Sequence, residues 1–220
     1  MNVEELIAEY RSITDDRAVP YLWSDMDIAG YADDAVNEAC ERARLIEDRV
    51  TSAVCNIALV AGVPDYPLHS SIFFIKRITH NGQLLEETSS EKLHTQWQAW
   101  ETRTGQPQAF VYDQSTTLRI FPIPKEPGAV KLTVYRLPLA SLSAENENAV
   151  PEIPARYHKR LLDWMLYRGY SKQDADTQDV TKAQAYAREF ERSFGQRISA
   201  DVQRKHRDRK PPQVAINRGW

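Results

Sequence analysis

Residues 151 to 164 read PEIPARYHKRLLDW and set Glu152, His158 and Asp163 around a tyrosine and several basic residues. A histidine oriented by a carboxylate is a common general-base arrangement, and proton transfer of that kind is the chemistry these types would serve. Their spacing argues otherwise. Five residues on an α-helix turn through about 500°, which leaves the two side chains some 140° apart around the axis. His158 and Asp163 are therefore not expected to act as a pair. Pro154 ahead of a long apolar pattern reads instead as fixing the entry direction of a helix, with Tyr157 packing in its first turn.

The other histidines, His69, His80, His94 and His206, fall in a loop, a strand end, a helix and the C-terminal tail. The chain has no H-E-x-x-H, no Cys/His cluster, no Gly-rich phosphate loop and no G-x-S-x-G. The acidic runs DDRAV, DMDIAGYADDA and KQDADTQD read as helix starts or solvated surface, and DADTQD lacks the glycine and closing glutamate of a calcium loop. Cys40 and Cys55 sit in apolar patterns and read as buried thiols. The expectation is a protein without catalytic residues, metal or cofactor.

Such a protein must be understood through its elements. Val3, Leu6, Ile7 and Tyr10 repeat at helical spacing over Val3 to Ile13. After the break at AVPYLW, Ser24 and Asp27 have the spacing of a capping box. The helix that follows carries Ile28, Ala32, Ala35, Ala39, Ala43 and Ile46 on one face, with Glu38, Glu41, Arg42, Glu47, Asp48 and Arg49 on a wet side. Its alanines allow a neighbouring helix close approach. From Thr51 the pattern changes to short β-branched and aromatic runs, AVCNIALV, SIFFIKRITHNG, AFVYDQSTTLRIFPIP and AVKLTVYRL, with prolines at their borders. Asn81-Gly82 marks a hairpin. Between strands, Leu93, Trp97 and Trp100 at i, i+4 and i+7 predict a helix near 90–102 laid over the sheet.

The polar linker SLSAENENAVPEIP precedes a return to helix at Ala155, where Tyr157, Leu161, Leu162, Met165, Leu166 and Gly169 form an apolar face. Val180, Ala183, Ala187, Phe190 and Phe194 then step by threes and fours to a C-capping Gly195. Neither helical pair has a core alone. The expected fold is α+β: a four-helix-like bundle from residues 1–51 plus 152–195, an inserted antiparallel β module over 52–151 with one covering helix, and an extended C-terminal tail, 196–220.

The net charge of the chain is -3, yet the stretch from Gln196 carries seven basic residues against two aspartates, a local surplus of +5. The body is acidic and its tail basic. Three readings of the tail stand side by side: a disordered basic terminus, a partner-docking segment, or a segment dedicated to sequence-specific nucleic-acid binding. Arg204, Lys205, Arg207, Arg209 and Lys210 would meet an acidic surface or a phosphate backbone, and Val214, Ile216 and Trp220 are apolar anchors suited to pockets on a partner. The longest apolar stretches fall far short of the roughly 20 residues that cross a bilayer, and the start MNVEELIAEYRS is unlike a secretory signal. No membrane partner is expected.

The order of AVNEACERARLI, VPDYPL, FIKRITHNGQLL, LHTQWQAWETRTGQPQAFVYD, LRIFPIPKEPGAVKLTVYRLPL, PEIPARYHKRLLDWMLYRGY and KAQAYAREFERSFG resembles the head-to-tail adaptor, or connector, proteins of tailed bacteriophages, particularly the tail-tubular adaptor type. The resemblance covers roughly Ile28 to Gly195. It implies a helical bundle with an inserted β module and no catalytic residues. It further implies a homo-oligomeric ring, commonly of twelve copies, at the head-tail junction of the virion, assembled in the host cytoplasm. The implied partners are the portal protein, nozzle or other tail proteins, and double-stranded DNA passing through the channel without sequence-specific contacts. The tail from Gln196 would then run along the portal. The competing reading is a regulatory or nucleic-acid-binding module acting through the same basic tail.

Overall fold

The computed structural model describes residues 1–112, 116–173 and 176–197. Helix α1 (Val3–Thr14) starts with a reciprocal cap: the Glu5 N–H donates to the Asn2 side chain at 2.8 Å, and the Asn2 N–H donates to the Glu5 carboxylate at 3.2 Å. Helix α2 (Asp25–Ala43) has one half of the expected capping box, the Asp27 N–H donating to Ser24 Oγ at 3.1 Å, while the Asp27 carboxylate accepts from the Ser24 hydroxyl at 2.9 Å. Ile28, Ala32, Ala35 and Ala39 are buried along its expected face. It ends sooner than its pattern suggests, because Arg44 turns left-handed at φ 51°. Ala43 is thereby exposed, and Ile46 reaches the core from the extended chain that follows.

The chain continues through β1 (Glu47–Asp48), a single helical turn α3 (Ser52–Cys55) and β2 (Asn56–Leu59). The run AVCNIALV is thus part helix and part strand, not one strand. Then come β3 (Asp65–Pro67), β4 (Ile72–His80), β5 (Gln83–Leu84), β6 (Glu86–Thr88) and helix α4 (Ser90–Gln96). A 3-10 turn at Trp100–Thr102 leads to β7 (Thr104–Gly105), β8 (Ala109–Val111), β9 (Thr117–Phe121), β10 (Ile123–Pro124) and β11 (Gly128–Arg136). A second 3-10 helix, Ala155–Arg160, runs into α5 (Leu161–Ser171), and α6 (Val180–Phe194) closes the described helices.

The strands make two main sheets. One is ordered β1-β11-β4-β5 with β2 also on β11, and the other β3-β9-β8-β6. The Asn81-Gly82 hairpin forms as expected, with φ of 50° and 81° at its two central residues and Thr79 opposite Leu84. The antiparallel expectation holds for most pairs, but β6 runs parallel to β8 and the short β7 parallel to β10. For β6 and β8 the cause is the covering helix, since a crossover through α4 returns the chain in its original direction, whereas β7 and β10 are linked through the antiparallel β8–β9 pair. That helix is shorter than 90–102. It stops at Gln96, so Leu93 and Trp100 are buried against Val111 and Phe121, while Trp97 is 43% exposed.

The buried residues form one cluster among the helices, another between the sheets and a small third one beneath α4. Helix α5 is central to the first, packing on α1, α2 and α6. Gly169 is required there, because a Cβ at that position would drive into the Tyr10 hydroxyl. Phe190 and Phe194 are buried on the predicted face of α6, and Gly195 ends the helix at φ 86°. The polar linker is not a loose connection. Leu142 and Ile153 are buried in the helical cluster, the Leu142 N–H donates to Asp33 at 2.7 Å, and the Val3 N–H donates to the Ala149 carbonyl at 3.0 Å. No helix among the described residues is long and apolar enough to cross a membrane.

Candidate interaction surfaces

The residues with catalytic chemistry are spent on structure. His158 is buried, its Nε2 lying 2.9 Å from the Ile153 carbonyl and its Nδ1 3.0 Å from the Met1 nitrogen. Asp163 points elsewhere: burial, with the negative charge of Glu189 added, pushes its carboxyl up to about 6 despite Arg160 nearby. His69 bonds Ser71, His80 lies on the Ala129 carbonyl and His94 meets Trp100 edge to face. His206 lies outside the described residues. Among the described residues no group of three His, Cys, Asp or Glu is placed to hold a metal. Both cysteines are free and buried, and burial pushes the Cys40 thiol up to about 12 and that of Cys55 to about 11.

Arg136 makes the most connected polar site. It lies at the end of β11 and is 5% exposed. Its Nε donates to Asp48 at 2.6 Å, while Nη1 and Nη2 form a two-pronged pair with Glu152 at 3.1 and 2.5 Å. Asp48 also accepts from the Val50 and Thr51 N–H groups at 3.0 Å each, and Glu152 accepts from Leu139 N–H at 2.9 Å. Burial opposes ionisation of Asp48, but the hydrogen bonds from Thr51 and Arg136 outweigh it and hold the carboxyl well below its usual range. Hydrogen bonds from Arg136 likewise hold Glu152 low. One guanidinium thus ties the segment leaving the helices, at Asp48, to the segment returning to them, at Glu152. Asp48 was expected on a wet surface; what buries it is a partner 88 residues away, which helical periodicity does not reveal.

A second ion network shapes the loop between α1 and α2. Asp16, expected on a solvated run, is buried and pairs with Arg11 at 2.7 Å while accepting from Leu22 N–H at 2.9 Å. Arg11 also donates to the Trp23 carbonyl and to Asp25, and its guanidinium lies 3.7 Å from the Tyr21 ring centre. The network holds a loop that leaves Val19, Tyr21, Leu22 and Met26 exposed.

The tail residues named from the sequence, Arg204, Lys205, Arg207, Arg209, Lys210, Val214, Ile216 and Trp220, lie outside the described residues. The chain leading toward them is anchored: Arg197 lies 3.0 Å from Glu41 and 3.6 Å from Glu38, and Arg42 donates to the Gly195 carbonyl at 3.2 Å. Glu38, expected on the wet side, is buried and pairs with Arg42 at 2.8 Å.

The solvent face of the larger sheet is the last surface. Its register puts Lys131 opposite Thr79, Thr133 opposite Arg77 and Tyr135 opposite Phe74, with Thr133 itself buried and accepting from Arg77 Nε at 3.2 Å. Arg44 covers Phe74 at 4.2 Å and Tyr135 at 5.6 Å, and Lys76 pairs with Glu47 at 2.7 Å. The face therefore carries Arg44, Lys76, Arg77 and Lys131 against Glu47 alone, on an otherwise acidic body.

A search of curated proteins finds no match to the sequence. A protein-family model does match, the SU10 adaptor protein family, over residues 1–215. That match takes in all six of the described α-helices, the strands between them and most of the tail, so the chain belongs to the SU10 adaptor protein family.

Proposed function

We propose that this protein is the ring-forming adaptor of a tailed phage, joining the capsid portal to tail components at the head-tail junction of the virion. The observation that carries the reading is the match to an adaptor family over 215 of 220 residues. In this reading residues 1–51 and 152–195 form one bundle, 52–151 an inserted β module, and 196–220 a docking segment whose basic residues and Val214, Ile216 and Trp220 engage the portal. Twelve copies would surround the channel through which double-stranded DNA passes, after assembly in the host cytoplasm.

The test is to mix the full chain with its portal and examine the product by negative-stain imaging and mass measurement. A stoichiometric annulus is the expected result, and a persistent monomer that ignores the portal overturns the reading. Deletion of residues 196–220 should abolish docking. If the deletion instead abolishes tight duplex binding by an isolated monomer, with a steep salt dependence, the tail serves nucleic acid.

A further inference from the structure

We infer that the solvent face of the larger sheet is one half of a head-to-tail contact between copies of this chain, and that its occupant is the 145–150 stretch of the neighbouring copy beside the start of α1. This inference rests on the ring reading above and deepens it. The sheet face has an aromatic centre, the half-buried Phe74 and Tyr135 rings with the Arg44 guanidinium over them, bordered by Lys131 and by Arg77, which donates to Thr133 Oγ1 at 3.2 Å. Among the described ion pairs none uses those three cations.

The complementary surface is on the helical side of the same molecule. Glu4, Glu145 and Glu147 are exposed there, and the Glu4 N–H donates to the Glu147 carbonyl at 3.1 Å, which places the strap beside the first turn of α1. Glu4 has a local reason to be acidic, since it sits at the positive end of the helix dipole. Glu145 and Glu147 have none, and no described ion pair uses either. Beside them Val150 is 59% exposed. Each surface thus has an apolar part bordered by unpaired charge, of opposite sign in the two cases.

Two different, mutually complementary patches on one chain generate heterologous contact, the geometry from which rings are built. Exposed charges of this kind set register and exclude wrong pairings more than they add affinity. A phosphate backbone would satisfy the cations but leave the aromatic centre and Val150 without an apolar partner, so a protein surface is the better occupant.

The experiment uses four full-length proteins, each checked for parental helical content: the parent, Arg77→Glu with Lys131→Glu, Glu145→Lys with Glu147→Lys, and all four changes together. Ring formation on the portal is measured against concentration. Each double reversal alone should weaken assembly by at least about tenfold, and both the fourfold variant and an equal mixture of the two double variants should recover it. Recovery in the mixture requires that the two patches meet between copies. If both reversals assemble like the parent, the contact is wrong while the adaptor reading stands. If assembly is lost and neither combination recovers it, the pairing is likewise overturned, and loss of duplex binding by the sheet variant alone would assign that face to DNA. A parent that forms no ring on the portal defeats both readings together.

Discussion

The helices and the sheets of this molecule are held by different kinds of information. In the helical part, burial follows local period: Leu6 and Tyr10, Ala32, Ala35 and Ala39, Leu162, Met165 and Leu166, and Phe190 with Phe194 all meet in one cluster. In the β part, position is decided by pairings far apart in the chain, such as Val130 with His80 and Glu86 with Ala109, and by a crossover under α4. The lesson is that the first region tolerates being read residue by residue, whereas the second depends on a few points where distant segments are fixed to each other. Arg136 is the principal such point, since it joins both regions.

The sharpest way to break this contrast is to empty each core separately. Phe190 is fully buried, its ring 4.6 Å from Phe194 and 4.9 Å from Trp164, and Phe190→Ala should cost about 3–5 kcal/mol in denaturant unfolding. Trp100→Ala should cost a similar amount but act on the β part, where the indole packs between His94 and Phe121. Trp97→Ala, three residues away, should cost less than about 1 kcal/mol, because its ring is half-exposed under Arg103 at 3.7 Å. Equal losses at Trp97 and Trp100 would restore the continuous helix that their spacing predicts.

Next in size is the joint. Arg136→Met leaves Asp48 buried without its cation, a loss of about 3 kcal/mol; the Val50 and Thr51 amides and the partial exposure of Glu152 keep it at the lower end of such effects. Hydrogen exchange should then show the helices and sheets opening at different denaturant concentrations. A single common transition in this variant would mean that the two regions are coupled by apolar packing rather than by the guanidinium.

A smaller effect is expected within the helical core. Gly169→Ala should cost about 1–3 kcal/mol by overpacking against Tyr10. Among the described residues the Tyr10 hydroxyl has no hydrogen-bond partner, so Tyr10→Phe should recover part of that loss. If the double variant is no more stable than Gly169→Ala alone, the close approach of α1 and α5 has been misread.

Most of the helical region was legible because its signals are local. The Ser24 and Asp27 spacing, the steps from Ala183 to Phe194 and the Asn81-Gly82 turn each need only a few neighbouring residues to be recognised. The interaction surfaces were largely not legible. Asp16, Glu38 and Asp48 look like solvated charge in sequence, and each is buried by an arginine. Arg42 is four residues from Glu38, but Arg136 pairs with Asp48 across 88. The linker was misjudged for a similar reason, since its many polar residues hide Leu142 and Ile153, the two side chains that enter the core.

The least effect is expected at Asp163, where the helical region carries a carboxylate at a cost. Burial and the facing charge of Glu189 raise its pKa from 3.8 to about 6, with Arg160 opposing and Tyr186 alongside. Below about pH 4 the group is protonated in both folded and unfolded chains and has no effect. As pH rises toward 6 the unfolded chain releases the proton more readily, so this residue's contribution to stability falls, and above 6 the full cost is present. Asp48 and Glu152 have the opposite sign: their lowered pKa values stabilise the fold at neutral pH, and that contribution is lost in acid. Asp163→Asn should therefore gain about 1 kcal/mol at pH 8, an amount discounted for the half-exposure of the group, and nothing near pH 4. Unfolding of parent and variant across that range measures the difference directly. A constant offset at all pH values would show that the substitution acts through packing, and that the charge on Asp163 is not a liability of the helical core.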